Sequence, residues 1–155
     1  MLIEEKILAL FTKKQMTLGL AESCTGGAIS ARLTKLPGTS DYLKGAVVSY
    51  QTSVKTSLLY ISEASIKQYS VYSAEVACQM ALNVQSLLQT DIALSTTGVA
   101  GPAPRNGTPV GTVYIGLATP EGKAQAFEFH FSGTRADIIE EAVEASLKLV
   151  LDQIN

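Results

Sequence analysis

Thr17-Leu18-Gly19-Leu20-Ala21-Glu22-Ser23-Cys24-Thr25-Gly26-Gly27-Ala28-Ile29-Ser30-Ala31-Arg32-Leu33 is the stretch whose reading decides the fold. Residues 17–21 are short and apolar, the run a buried strand makes. Two glycines come after it, which let a chain turn tightly. Residues 28–33 then return to a helical pattern. Strand, tight turn and helix in succession are the start of an α/β unit.

The flanking sequence extends that unit. Leu2, Ile3, Ile7, Leu8, Leu10 and Phe11 recur at helical spacing upstream, with Glu4, Glu5 and Lys6 between them. This is an amphipathic helix. Downstream, Pro37-Gly38-Thr39-Ser40 ends the first internal helix. Residues 45–50 read as a strand, and residues 54–59 and 63–68 as short helices. Ser73 is placed to cap a long helix over 74–89, with Glu75 in its first turn. Residues 91–96 form an apolar strand, 97–109 a Gly/Pro-rich loop, and 110–119 a further strand. Residues 120–123 turn the chain into 124–131, where Phe127, Phe129 and Phe131 alternate onto one face. A last helix covers 136–154, with Thr134 and Asp137 as a variant capping box. The pattern predicts a single α/β domain over residues 1–155. It is a three-layer α/β/α sandwich on a mixed, mostly parallel sheet, with one antiparallel pair from a C-terminal hairpin and a closing helix.

Composition narrows the function. Charged residues are 17% of the 155 and the net charge is −2, against a usual charged share of about 25%. Sparse charge fits a surface partly covered by another copy, so a homo-oligomer, dimer or higher, is expected; the alternative is a surface made polar by Ser, Thr and Gln. There is no basic block, so no nucleic-acid partner is expected. No run reaches the roughly 18 apolar residues of a membrane span, and residues 1–15 lack the order of a signal peptide. Cys24 and Cys78 form no CxxC and have no histidine nearby in sequence. No metal is expected, and the thiols fit a reducing cytoplasm.

Three clusters can carry chemistry, all at strand ends or in adjoining loops, where open α/β sheets place ligands. In the first, Ser23 is either a nucleophile beside outward-pointing N–H groups or, like Thr25, a helix cap. In the second, Ser49-Tyr50 precedes Lys55 by a few residues. Lys55 is either a surface lysine or, if desolvated, the base that Ser23 needs, in a Ser–Lys–Tyr arrangement. The only histidine, His130, lies in the alternating strand opposite the phenylalanines and reads as a surface or helix-packed residue. The third cluster runs from Ser95 to Pro102 and offers Thr97 and Gly98 for phosphate or ribose contacts, or is a plain loop. Arg135 is an anion-clamp candidate at the start of the last helix.

Taken in order, these segments resemble the C-terminal domain of the CinA family, the nicotinamide-nucleotide amidohydrolases, in a stand-alone form. Ala21-Glu22-Ser23-Cys24-Thr25-Gly26-Gly27 is similar to the family signature, and so are Pro37–Ser40, Val47-Val48-Ser49-Tyr50 with Lys55, Thr97–Pro102, Pro109–Val113 and Ser132–Arg135. The resemblance implies the family's α/β/α fold and hydrolysis of the carboxamide of nicotinamide mononucleotide to nicotinic acid mononucleotide and ammonia, within pyridine nucleotide recycling. It further implies a serine amidase without a cofactor or metal. Ser23 would attack the amide carbon, Lys55 would take its proton, and Tyr50 would relay it to the leaving ammonia. N–H groups near Thr25, Gly26 and Gly27 would hold the oxyanion or the phosphate. Thr97, Gly98 and Arg135 would hold the ribose phosphate.

The chain also departs from the family pattern. Residues 101–109 lack the family's Gly-Gly pair, Thr108 stands where a lysine is usual, Ile139 where an arginine is usual, and Gln51-Thr52 where Ser-Asn is usual. Two other functions therefore stay open. One is an amidase for a different amide. The other is a non-catalytic relative that binds a nucleotide or a protein, in a competence or DNA-damage setting.

Overall fold

The computed structural model describes residues 1–155. Its elements run α1 (Ile3–Lys14), β1 (Leu18–Glu22), α2 (Ala28–Thr34), β2 (Leu43–Val48), α3 (Thr52–Leu59), α4 (Glu63–Tyr69), α5 (Ala74–Leu88), β3 (Ile92–Gly98), β4 (Thr112–Ala118), β5 (Ala124–His130) and α6 (Arg135–Ile154), with a 3-10 turn at Thr39–Asp41. The local chemistry is as the sequence requires. Ser73 accepts from the Val76 N–H to start α5, and Thr134 and Asp137 form a reciprocal capping box at α6.

One five-stranded sheet has the order β2-β1-β3-β4-β5. β1 pairs parallel with both β2 and β3, while β3–β4 and β4–β5 are antiparallel. The sheet is mixed, as expected, but it has two antiparallel pairings rather than one and so is not mostly parallel. The cause lies in residues 99–111, which hold no helix. Without a helical crossover the chain turns back beside β3 instead of crossing to a parallel position.

Helices cover both faces. On one side α1, α2 and α6 bury Ile7, Phe11, Ile29, Leu33, Ala142 and Leu147 against Leu18, Leu20, Leu94 and Ile115. On the other, α5 packs Val76, Met80, Ala81 and Val84 with Leu59 and Ile61 over Ala21, Ala93 and Ala118. Strand β1 is buried along its whole length, which explains why it shows no polar alternation. Gly116 lets α5 approach the sheet closely, since a Cβ there would sit 2.4 Å from the Ala77 carbonyl oxygen. No helix is long and apolar enough to cross a membrane.

Candidate active site

β1 and β2 are parallel neighbours in register, Glu22 beside Val48. The residues just past the two strand ends therefore leave the sheet at the same edge. Ser23 comes directly after β1. Ser49 and Tyr50 come directly after β2 and lead into α3, which carries Lys55 in its first turn. The Ser49 N–H donates to the Glu22 carbonyl at 2.8 Å and extends the ladder one step past the strand ends. This places two side chains that are distant in sequence in direct contact.

Lys55 Nζ lies 2.8 Å from Ser23 Oγ, 2.6 Å from the Ser49 carbonyl oxygen and 3.3 Å from the Tyr50 carbonyl oxygen. Lys55 is only 2% exposed, and Ser23 is 6% exposed. No carboxylate pairs with the lysine. Burial disfavours its ammonium form and pulls its pKa down to about 8. A neutral lysine amine has two N–H donors and one lone pair. As an ammonium Lys55 donates to all three oxygens, Ser23 Oγ included; once neutral, its two N–H groups can stay on the carbonyls and its lone pair is left for the Ser23 hydroxyl proton. The arrangement is that of a serine activated by a lysine base.

Glu22 orders the turn from below. Its buried carboxylate accepts from the Thr25 hydroxyl at 2.7 Å, the Ile29 N–H at 2.9 Å, the Ser30 N–H at 3.0 Å and the Ser30 hydroxyl at 2.9 Å. Thr25 spends its only hydroxyl proton on Glu22, so the Thr25–Thr96 contact of 2.8 Å has Thr96 as donor. Thr96 in turn accepts from the Ser23 N–H at 3.3 Å. The chain of bonds runs from Glu22 through two threonines to the backbone of Ser23. Sequence reasoning had Glu22 and Thr96 within its clusters but gave neither a role. The available signal was a carboxylate closing an apolar run just before the turn.

The turn's N–H groups are unequally available. Those of Ser23 and Gly26 are bonded, the latter to the Ser23 carbonyl at 2.9 Å, while those of Cys24, Thr25 and Gly27 have no acceptor in the chain. Thr25 is therefore a turn-ordering residue through its side chain, and Gly26 and Gly27 lie outside the cleft wall. Thr97 is fully buried, and its hydroxyl donates to the Val71 carbonyl at 2.9 Å, so it ties β3 to the segment before α5. The neighbouring Ser95 hydroxyl makes the same kind of tie, 2.6 Å to the Ala77 carbonyl.

A cleft of about 360 Å³ opens over Ser23 and Lys55. Its wall brings together Cys24, Tyr50, Gly98, Arg105 and Arg135, and it includes no aspartate or glutamate. The Cys24 thiol stays protonated there, because burial pushes its pKa up to about 11. Arg135, the first residue of α6, donates to the Tyr50 hydroxyl at 2.6 Å and to the Gly101 carbonyl. Tyr50 thus meets Lys55 through its backbone and Arg135 through its phenol, with the ring 56% exposed. His130 does not line the cleft; it is exposed and bonded to Glu128 at 2.6 Å.

The chain matches the CinA C-terminal domain family over residues 2–154 and belongs to that family. It is 41% identical over 146 residues to a CinA-like protein of Flavobacterium psychrophilum, covering 94% of this chain and 35% of the relative. It is 47% identical over 123 residues to a CinA-like protein of Microcystis aeruginosa, covering 79% of this chain and 30% of the relative. The chain thus spans about a third of the length of these curated relatives. Among solved structures it is similar to a competence-damaged protein (CinA) superfamily protein from Enterobacter cloacae, with a TM-score of 0.95 and 28% identity over 99% of this chain and 90% of that one. A superfamily member from Escherichia coli superposes with a TM-score of 0.91 at 30% identity, over 99% of this chain and 91% of that one.

Proposed function

We propose that this CinA C-terminal domain is a serine amidase that hydrolyses the carboxamide of nicotinamide mononucleotide to nicotinic acid mononucleotide and ammonia. One observation carries the reading: a buried lysine without a counter-ion, 2.8 Å from a serine hydroxyl at the floor of a cleft. A lysine kept out of water with no acidic partner is costly to the fold. That cost is matched by a base whose pKa of about 8 suits proton transfer near neutral pH.

In this scheme neutral Lys55 takes the Ser23 proton as Oγ bonds to the amide carbon. Of the three N–H groups in the turn without an acceptor in the chain, that of Cys24 adjoins the nucleophile and belongs to a residue of the cleft wall, and it is the donor for the oxyanion. The tetrahedral adduct collapses as the C–N bond breaks. The nitrogen takes a proton and leaves as ammonia, and an ester on Ser23 remains. Tyr50 accepts a bond from Arg135, so its own proton is free to serve the leaving nitrogen, with Lys55 resupplying it. Water, deprotonated by Lys55, then cleaves the ester and restores Ser23. Gly98, on the cleft wall, is open to the sugar of the nucleotide, and Arg135 steadies the Tyr50 phenol.

The same proposal has the enzyme acting in the cytoplasm as a homo-oligomer. Exposed Val48, Leu58 and Tyr60 around β2 and α3 support a self-association face.

The test is ammonia release from nicotinamide mononucleotide by the parent and by Ser23→Ala, with chelator present. Release by the parent that vanishes in the variant is expected. No release by either protein while calorimetry still shows the nucleotide bound would overturn the reading.

A further inference from the structure

The segment where this chain departs from its family's pattern, residues 101–109, folds into a defined device. Arg105 and Thr108 exchange both backbone bonds, Arg105 N–H to Thr108 O at 3.2 Å and Thr108 N–H to Arg105 O at 2.8 Å. Between them Asn106 and Gly107 have φ of 50° and 75°, the positive pair that Asn-Gly supplies at low cost in a two-residue hairpin turn. A short loop closed in this way fixes the backbone from which its flanking side chains leave.

Arg105 emerges from this hairpin onto the wall of the cleft that contains Ser23 and Lys55. Its guanidinium makes no ion pair, and no hydrogen-bonding group of the chain occupies it. Arg135, on the same cleft, spends one N–H of each terminal nitrogen, on the Gly101 carbonyl and the Tyr50 hydroxyl, which fixes the orientation of its fork. Of the two arginines, Arg105 is the one that keeps its planar fork free for a bidentate partner. The cleft wall carries Arg105 and Arg135 against no carboxylate, although the chain as a whole has a net charge of −2. Positive charge focused in a cleft of an acidic protein selects an anionic ligand.

We infer that Arg105 is a specificity-determining residue: its guanidinium takes the phosphate of the nucleotide substrate, while Arg135 positions Tyr50 and the Gly101 carbonyl. The assignment rests on the amidase reading of the cleft. Thr108 stands where a lysine is usual in the family, so the hairpin offers a charge at Arg105 instead. The charge is supplied from the other strand of the hairpin, across the turn.

The experiment has a turnover arm and a binding arm. In the first, ammonia release is measured from nicotinamide mononucleotide and from nicotinamide riboside, which lacks the phosphate. Arg105→Ala is expected to shrink the preference for nucleotide over nucleoside in kcat/KM by roughly 10- to 100-fold, the worth of a charge-assisted contact, and Arg105→Lys to restore part of it. In the second, calorimetry measures binding of nicotinamide mononucleotide to Ser23→Ala, with and without Arg105→Ala. A similar rise in Kd is expected, together with loss of competition by inorganic phosphate. Equal Kd values and equal nucleotide preference with and without Arg105 would overturn the assignment. If the parent releases no ammonia, the amidase reading falls, and the binding arm still decides whether Arg105 holds a phosphate.

Discussion

The Tyr50 hydroxyl and the Arg135 guanidinium, 85 residues apart in sequence, meet at 2.6 Å and join the end of β2 to the first turn of α6. If Arg135 acts through Tyr50, removing either partner removes the same thing. Arg135→Met and Tyr50→Phe should each lower kcat by roughly 10-fold, on nucleotide and nucleoside alike. The double variant should lose little more than either single one, because coupled groups are not additive. A double-mutant cycle on kcat checks this, and additive losses would separate the two residues.

The pH dependence of the reaction should track Lys55. The base works only when neutral, and burial holds its pKa at about 8. The rate kcat/KM should therefore rise with pH through about 8 and then level off. Lys55→Met should remove the limb and cost roughly 10²- to 10⁴-fold in rate, the usual contribution of a general base. A pH–rate profile of parent and variant reads both outcomes.

Lys55 should also leave a mark on stability. Its folded pKa of about 8 is below the ordinary 10.5, so the unfolded chain binds the extra proton between those values. Lys55 then favours the folded state fully above 10.5, loses that contribution as pH falls toward about 8, and changes nothing further below it. Relative to Lys55→Met, the parent should gain stability across this window as pH rises. Denaturant midpoints of the two proteins, subtracted at each pH, test the sign.

Glu22 should prove structural for the nucleophile's turn. Four donors converge on its buried carboxylate, and an amide at that position would aim an NH2 group at donors. Glu22→Gln should cost about 2–3 kcal/mol of stability by urea unfolding, the range for leaving buried polar groups unmatched. It should also lower kcat, because the Thr25–Thr96 link to the Ser23 N–H loses its fixed direction.

Element positions were readable in the sequence to within about two residues, because hydrophobic period and capping residues act locally. Ser73 and Thr134 are both caps in the structure, as their spacing predicted. The second antiparallel pairing was less legible, since a Gly/Pro-rich loop does not announce the direction in which the next strand returns. The contact between Ser23 and Lys55 was expected from their roles, but its origin in the parallel register of β1 and β2 is visible only in three dimensions. Thr97 was a candidate ligand by residue type. Alternation along β3 points it to Val71, while Thr96, one residue earlier, faces the turn of Ser23. Which of two adjacent threonines meets the site depends on strand phase, and composition does not carry that information.

The two halves of the site hang from different parts of the sheet. Ser23 and Lys55 come from the ends of β1 and β2, whereas Arg105 comes from the hairpin between β3 and β4. On the amidase reading, bond-breaking and recognition are thus separately heritable. The hairpin lies outside the strand spacing that brings lysine to serine, so a change in its length or charge would retarget one scaffold among anionic amides through a handful of loop codons.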